Sequence, residues 1–365
     1  MSLYKKVLKP LLFKADPEFV HDRFVFFGSL LGRFYITRKV CSLFFEYQNK
    51  ILEQDILGIH FQNPIGLSAG FDKNAELIDI MPSVGFGFVE VGSITGNVCL
   101  GNPKPRLWRL KNSQGLVVHY GLKNDGCEAI AKRLQKKMQK KIFEIPVGVS
   151  VAMTNCQENI NIESAIRDYV KAFKTLEPFG AYITINISCP NALGGQPFID
   201  PEKFSQLFRA LDTIPTQKPI FIKFSPDMSD LELDRLLAVA RNHRIHGIIC
   251  ANLTKKRDNP NIFETNVPEK GGMSGKIVQD MSDNMLAYIY KKEGKRFVLV
   301  GSGGVFNAED AYRKIRLGAS LIQLITGMIF EGPQLIGQIN KGLAELLKRD
   351  GFNNVSEAIG KGVIY

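Results

Sequence analysis

Between residues 64 and 324 the chain repeats one pattern eight times: a short apolar run rich in β-branched residues, followed in most cases by a stretch with helical spacing. The runs are 64–69, 85–91, 145–151, 182–187, 219–224, 247–251, 297–300 and 321–324. Their hydrophobicity is continuous rather than alternating, as strands need when both faces are covered. Helical spacing marks 160–176, 201–212, 231–242, 280–293 and 308–317. Eight strands alternating with helices predict a closed parallel α/β fold, the (β/α)8 TIM barrel. An open doubly wound sheet lacks support, because no G-x-G-x-x-G follows an early run. At 365 residues the chain can bury one such core and still carry an extension. Residues 1–50 are read as an N-terminal helical extension, and 51–365 as the barrel.

The extension has its own character. Phe13, Phe19, Phe24, Phe26, Phe27, Phe34, Phe44 and Phe45 alternate with Lys and Arg. Asp16-Pro17-Glu18 is a helix start, with Asp as N-cap, Pro at the first helical position and an acid in the first turn. Val20, Phe24, Phe27 and Leu31 then recur on one helical face. Such a segment suits an anionic membrane surface. It equally suits a helical pair packed over one end of the barrel.

The formal net charge of +11 favours anionic ligands or surfaces. It does not indicate nucleic acid, since no zinc finger, RNP motif or basic zipper is present. Six cysteines (41, 99, 127, 156, 189 and 250) form no C-x-x-C pair, which argues against a metal or iron–sulfur site and against a disulfide scaffold, and fits a reducing cytoplasm. The longest uncharged run, 178–199, holds two Asn, a Gln and three Pro, which a lipid-facing helix would not tolerate. Lys5, Lys6, Lys9 and Lys14 lead into acids rather than a cleavable apolar core, so no secretory signal is expected.

Catalytic groups of such barrels sit at the C-terminal ends of the strands. There the chain places Ile185-Asn186-Ile187-Ser188-Cys189-Pro190-Asn191, two amides and a thiol held by a rigid Pro turn. The cluster suits a flat, hydrogen-bonding substrate with an acidic C–H. It is also compatible with amides that merely cap the loop and a thiol that packs as a small apolar group. After the seventh and eighth strands come Gly301-Ser302-Gly303-Gly304 and Ile325-Thr326-Gly327, which suit a phosphate held on backbone N–H groups. Ser93 and Asn252 follow other strands, and Lys223 lies inside the fifth, where an ammonium needs an anionic partner. A reduced flavin would supply one; a Lys snorkelling from a misread strand is the alternative.

Several ordered motifs resemble the dihydroorotate dehydrogenase family over nearly the whole chain, about Leu3 to Ile364. They are Gly66-Leu67-Ser68-Ala69-Gly70-Phe71-Asp72-Lys73-Asn74, Gly101-Asn102-Pro103-Lys104-Pro105-Arg106-Leu107, Gly271-Gly272-Met273-Ser274-Gly275 and Gly318-Ala319-Ser320-Leu321-Ile322-Gln323. Phe19-Val20-His21 and the tail from Asp350-Gly351-Phe352 through Glu357-Ala358-Ile359-Gly360 resemble the membrane-associated, quinone-reducing class. The resemblance implies FMN, with its phosphate on Gly303, Gly304, Thr326 and Gly327. Ala69, Gly70, Ser93, Asn186, Lys223, Ala251 and Gly275 would contact the rest of it. It implies that Lys73 pairs with the carboxylate of dihydroorotate and that Asn186, Asn191 and Asn252 bond its ring. Cys189 would remove the C5 proton as hydride leaves C6, with cationic neighbours expected to lower its pKa. Electrons would pass through an apolar tunnel in the extension to a membrane quinone, in pyrimidine biosynthesis, at the cytoplasmic side of the cell membrane.

The pattern is broken in places. Cys189 stands where the quinone class usually has Ser. Val118 and Lys123 replace two Asn of the Asn-x-Met-Gly loop, here Val118-His119-Tyr120-Gly121. Ser150 replaces Asn after the third strand, Ala152-Met153-Thr154-Asn155 replaces Gly-Lys-Asn-Lys, and Ile325 replaces an aromatic residue. These departures keep open an FMN oxidoreductase with another substrate and a membrane-bound barrel without catalysis. A flavin-free phosphate-sugar enzyme would share the glycine loops but leave Asn186, Cys189 and Asn191 unexplained.

Overall fold

The computed structural model describes residues 4–294 and 296–363, so Leu3 and Ile364, the limits of the resemblance, lie outside the described residues. A hairpin of β1 (Gln54–Ile56) and β2 (Ile59–Phe61) leads into the barrel. The barrel strands are β3 (Ile65–Leu67), β4 (Phe88–Ile94), β7 (Val147–Val151), β8 (Tyr182–Asn186), β9 (Ile220–Lys223), β10 (Gly247–Cys250), β12 (Val298–Ser302) and β13 (Leu321–Leu324). They close in the order β10-β12-β13-β3-β4-β7-β8-β9, all parallel. Each of the eight apolar runs becomes one barrel strand, and helices at Ile162–Leu176, Pro201–Asp212, Asp230–Ala240, Gln279–Glu293 and Ala308–Arg316 fall within two residues of their expected limits. Local chemistry explains the sharp starts. Asp200 caps Pro201–Asp212 by accepting from the backbone N–H groups of Glu202 and Lys203, and Ser229 with Glu232 forms a capping box before Asp230–Ala240.

The lower end of the barrel is filled by pairing large with small. Gly66 lies in register with Phe88, Gly148 with Tyr182 and Gly247 with Phe221. A Cβ on any of these glycines would stand 2.1–2.3 Å from the neighbouring ring. Phe61 of the hairpin seals the plug edge-on against Phe88, 5.4 Å between centroids. With that end closed by aromatics, only the C-terminal end can hold a ligand.

A second sheet was not apparent from the sequence. β5 (Leu107–Leu110), β6 (Gly115–Val118) and β11 (Gly272–Gly275) pair antiparallel in the order β11-β6-β5 and wall the upper end. Residues of β11 are glycine-rich and carry no strand propensity of their own; partner strand β6 imposes the conformation.

The extension forms α1 (Lys9–Leu12), α2 (Pro17–Gly32) and α3 (Tyr35–Phe45). Asp16 caps α2 as its sequence requires, accepting from the Phe19 N–H at 2.8 Å. The packed face of α2 is the one the aromatic spacing did not mark. Gly28 and Gly32 bring its backbone against Leu77, Asp79 and Ile80, while Phe27 remains 55% exposed and Phe24 and Leu31 are exposed too. Glu18, in the first turn, is buried and accepts two hydrogen bonds from Arg106 Nε and one from Nη2, at 2.8–3.2 Å. Burial works against its charge, but the guanidinium holds its carboxyl below the usual range.

The glycine–aromatic layer generates a prediction away from any ligand. Gly247→Ala places a methyl 2.2 Å from the Phe221 ring and 2.7 Å from the Val298 carbonyl oxygen, which as backbone cannot turn aside. Stability should fall by about 1–3 kcal/mol, read as a lower urea midpoint with an unchanged slope. An unaltered midpoint would contradict this account of the plug.

Candidate active site

Loops and strand ends at the upper end surround one cleft of about 1270 Å³, its open mouth included. Every site residue expected from the sequence lines it: Ala69, Gly70, Lys73, Ser93, Asn186, Cys189, Asn191, Lys223, Ala251, Asn252, Gly275, Gly303, Gly304, Thr326 and Gly327. The barrel register achieves this convergence, since Asn186 and Lys223 are direct neighbours at the tops of β8 and β9.

Asn186 is the hub of the polar floor. Its Nδ2 donates to Ser93 Oγ at 2.8 Å, and Ser93 shares a 2.8 Å hydrogen bond with Ser150. Its Oδ1 accepts from the Ser188 N–H and from Asn252 Nδ2, both at 3.2 Å. Ser188 turns inward and donates to the Lys223 carbonyl at 2.6 Å, which fixes the Ser-Cys-Pro-Asn turn and leaves Cys189 facing the cleft.

Lys223 is buried, and its ammonium donates to Ser68 Oγ at 3.0 Å. Ser68 donates to Gln323 Oε1, whose amide donates to Glu90; Thr184 also donates to Glu90. Burial pushes the Lys223 ammonium down and the buried Glu90 carboxylate pulls it back up. The barrel itself therefore supplies part of the counter-charge that the sequence reading assigned to a ligand. Glu90 was missed because an acid inside a strand becomes meaningful only when the opposite strand is known, and Ser68 and Gln323 stood in family motifs without an assigned role.

Lys73 stands apart from that floor. Its Nζ lies 4.2 Å above the Tyr120 ring and 3.4 Å from His21 Nε2 of α2. Burial lowers the ammonium to about 8, with Asp22 and Glu18 partly opposing and Lys123 adding to the shift. Burial and then Lys73 also hold His21 below its ordinary value, so the imidazole is neutral beside a cation. The signal for His21 was its place in the Phe19-Val20-His21 motif.

Burial pushes the Cys189 thiol up to about 11, against the backbone N–H groups of Asn191 and Ala192 and the Lys255 charge. This corrects the expectation of a thiol pKa lowered by cationic neighbours: the enclosing walls outweigh them.

The departures from the family pattern are absorbed in specific ways. Val118 lines the cleft with an apolar side chain, while its carbonyl accepts from Asn191 Nδ2 at 2.8 Å. Asn155 donates to Asn102, Asn102 donates to the Asn191 carbonyl, and Leu193 N–H donates to Asn155, a chain that ties down the loop after Cys189. Thr154 bonds Asp168 through both its hydroxyl and its backbone N–H. Lys123 leans toward Glu18 at 3.8 Å on the rim.

The far wall suits a phosphate. Gly303 and Gly304 adopt φ of +112° and +75°, a region that only glycine enters freely, and Thr326 Oγ1 lies 2.8 Å from Ser274 Oγ. A Cβ on Gly70 would meet nothing nearer than 3.7 Å, so the backbone there opens onto space. Glycine loops at one end, and a buried ammonium with an amide–hydroxyl floor at the other, fit a flat anionic ring carrying a phosphate.

Beside this cleft lies an apolar one between extension and barrel, lined by Phe13, Val20, Phe24, Leu107 and Ile329, with Tyr4 and Arg109 among its polar groups. His21 and Phe71 line both.

A model of the dihydroorotate dehydrogenase family matches residues 51–347. A dihydroorotate dehydrogenase (quinone) of Nostoc punctiforme is 35% identical over 376 residues, spanning 99% of this chain and 98% of its own. The enzyme of the same name from Nautilia profundicola is 36% identical, spanning 99% and 97%. A ligand-free crystal structure of the Eimeria tenella DHODH superposes with a TM-score of 0.86 at 29% identity, covering 96% of this chain and all of that one. Because the agreement runs through the extension as well as the barrel, the chain belongs to the dihydroorotate dehydrogenase family, in its quinone class.

Proposed function

We propose that this protein oxidises dihydroorotate to orotate and passes the electrons to a quinone, a step of pyrimidine biosynthesis. The observation that carries the reading is the convergence of Lys73, Cys189, Lys223 and three Asn amides on one cleft that communicates with an apolar one. FMN is the cofactor these walls fit, with Gly303, Gly304, Thr326 and Gly327 at its phosphate and Ala69, Gly70, Ser93, Asn186, Lys223, Ala251 and Gly275 along the rest. When bound, the flavin supplies the hydride acceptor.

The chain's own groups do the remaining work. Lys73 pairs with the substrate carboxylate, and Asn186, Asn191 and Asn252 orient the ring and stabilise charge developing on it. Cys189 takes the C5 proton as hydride leaves C6. The neutral His21 and the Tyr120 ring hold the Lys73 ammonium at the cleft wall. The apolar cleft takes the quinone ring, and Arg109 offers a charged hydrogen-bond donor for a quinone oxygen.

Residues 1–50 form the membrane and quinone module, and 51–365 the FMN barrel. Among the described residues no helix is long and apolar enough to cross a membrane. Phe19, Phe26, Phe27, Phe34 and Phe44 point away from the barrel, and that outward face supports a peripheral attachment at the cytoplasmic side.

Under anaerobic conditions dihydroorotate should bleach the bound flavin and a soluble quinone should restore it; a flavin that other reductants bleach but dihydroorotate does not would overturn the reading. Its pH dependence follows from two groups. Lys73, near 8, loses its charge as pH rises through that value, so affinity for the anionic substrate should fall about tenfold per unit above it. Cys189, near 11, acts only as thiolate, so reduction at saturating substrate should quicken across about pH 7 to 10. Stopped-flow reduction should thus show kcat and KM rising together. Cys189→Ser should displace the kcat rise upward, and an unchanged profile would exclude Cys189 as the base.

Val118 supplies the last test. Val118→Asn adds an amide to the wall and should lower KM for dihydroorotate about tenfold, one hydrogen bond's worth. No change would mean that the ring does not approach β6, which would favour a different substrate for the same flavin site.

A further inference from the structure

Away from both clefts, a third lies between α2 and the end of the helix Cys127–Met138. It is lined by seven Arg and Lys side chains against two carboxylates, Glu76 and Asp79. Most of the cations are engaged: Lys137 and Lys141 pair with Asp79, Arg133 with Asp125, and Arg38 donates to the Gly32 carbonyl and pairs with Glu144. The side chains of Arg33, Lys136 and Lys140 have no hydrogen-bond or ion-pair partner among the described residues. Like charges gathered in one cleft repel, and an anion between them relieves that repulsion.

The rims say which anion. On α2 the row Ser29–Arg33 faces the cleft, and the adjacent row holds Phe26 and Leu30, both exposed. On the opposite wall Met138 is exposed and Ile142 is 91% exposed, beside Lys137 and Lys141. A soluble phosphate needs cations but no apolar border. A lipid needs both, since its acyl region takes the apolar side chains while cations meet the headgroup.

We propose that this cleft holds the headgroup phosphate of an anionic lipid, through Arg33, Lys136 and Lys140, while Phe26, Leu30, Met138 and Ile142 enter the surrounding acyl region. The proposal rests on the peripheral attachment described above and adds the segment 136–142 of the barrel to the membrane footprint. Attachment then rests on two separate parts of the chain and fixes the tilt of the molecule on the bilayer.

The test is flotation of the purified, flavin-loaded protein on vesicles of phosphatidylcholine alone and of phosphatidylcholine with phosphatidylglycerol. Phosphatidylglycerol should strengthen binding, and the variant Arg33→Ala with Lys136→Ala and Lys140→Ala should lose about tenfold or more of that gain. The same variant should keep its binding to neutral vesicles and its turnover with a soluble quinone. Removing three cations elsewhere, by Lys174→Ala, Lys203→Ala and Lys348→Ala, should leave the gain intact. An equal loss in that control, or a cleft variant that still gains like the parent, overturns the headgroup site and leaves membrane attachment standing. A parent protein that floats with neither vesicle overturns both.

Discussion

An eight-stranded barrel has no empty interior: its axis must be filled by side chains, and what fills each level decides what the molecule can do. Here the lower level is a dry plug of Phe61, Phe88, Tyr182 and Phe221, admitted by glycines on the strands beside them. Above it lies a polar level of Glu90, Thr184, Gln323, Ser68 and Lys223, in which each hydrogen bond leads to the next. Thr184 and Gln323 donate to one oxygen of the buried Glu90 carboxylate, and its charge opposes the burial that lowers the Lys223 ammonium. The ligand cleft is what remains above these two levels.

The cleft is held short of its electrostatic optimum. Burial lowers both ammonium groups and raises the thiol, so Lys73, Lys223 and Cys189 are all pushed toward neutrality. Anionic ligands reverse that bias for Lys73 and Lys223. Binding and protonation are thereby linked, and the same linkage favours negatively charged partners.

One buried ion pair ties the extension to the barrel beside the glycine contacts of α2. Glu18 and Arg106 are held in a fork geometry, Arg106 also donates to the Leu100 and Asn102 carbonyls, and Arg109 donates to the Ala15 carbonyl. Glu18 reads in the sequence as an ordinary first-turn acid, and Arg106 as part of a family motif; only packing makes them a buried ion pair between extension and barrel. The aromatic spacing of α2 was legible, but which of its two meanings applied was not: the glycines make the close contact with the barrel and leave Phe24, Phe27 and Leu31 outside, so the face is open to a surface rather than packed on the barrel. The sheet of β5, β6 and β11 escaped notice for a related reason: its strands are short and glycine-bearing, and they exist through each other.

The eight barrel strands, the capped helix starts and fifteen of the residues that line the cleft were legible in the sequence. Those are local properties: hydrophobic period, turn chemistry and motifs anchored at strand ends. Only the tertiary structure decided the protonation of Cys189, the counter-charge of Lys223, the partner of Asn191 across from Val118 and the outward face of α2. Each of these depends on how deeply a group is buried and on what stands opposite it, and residues as distant in the chain as Glu90 and Gln323 become neighbours only when the barrel closes.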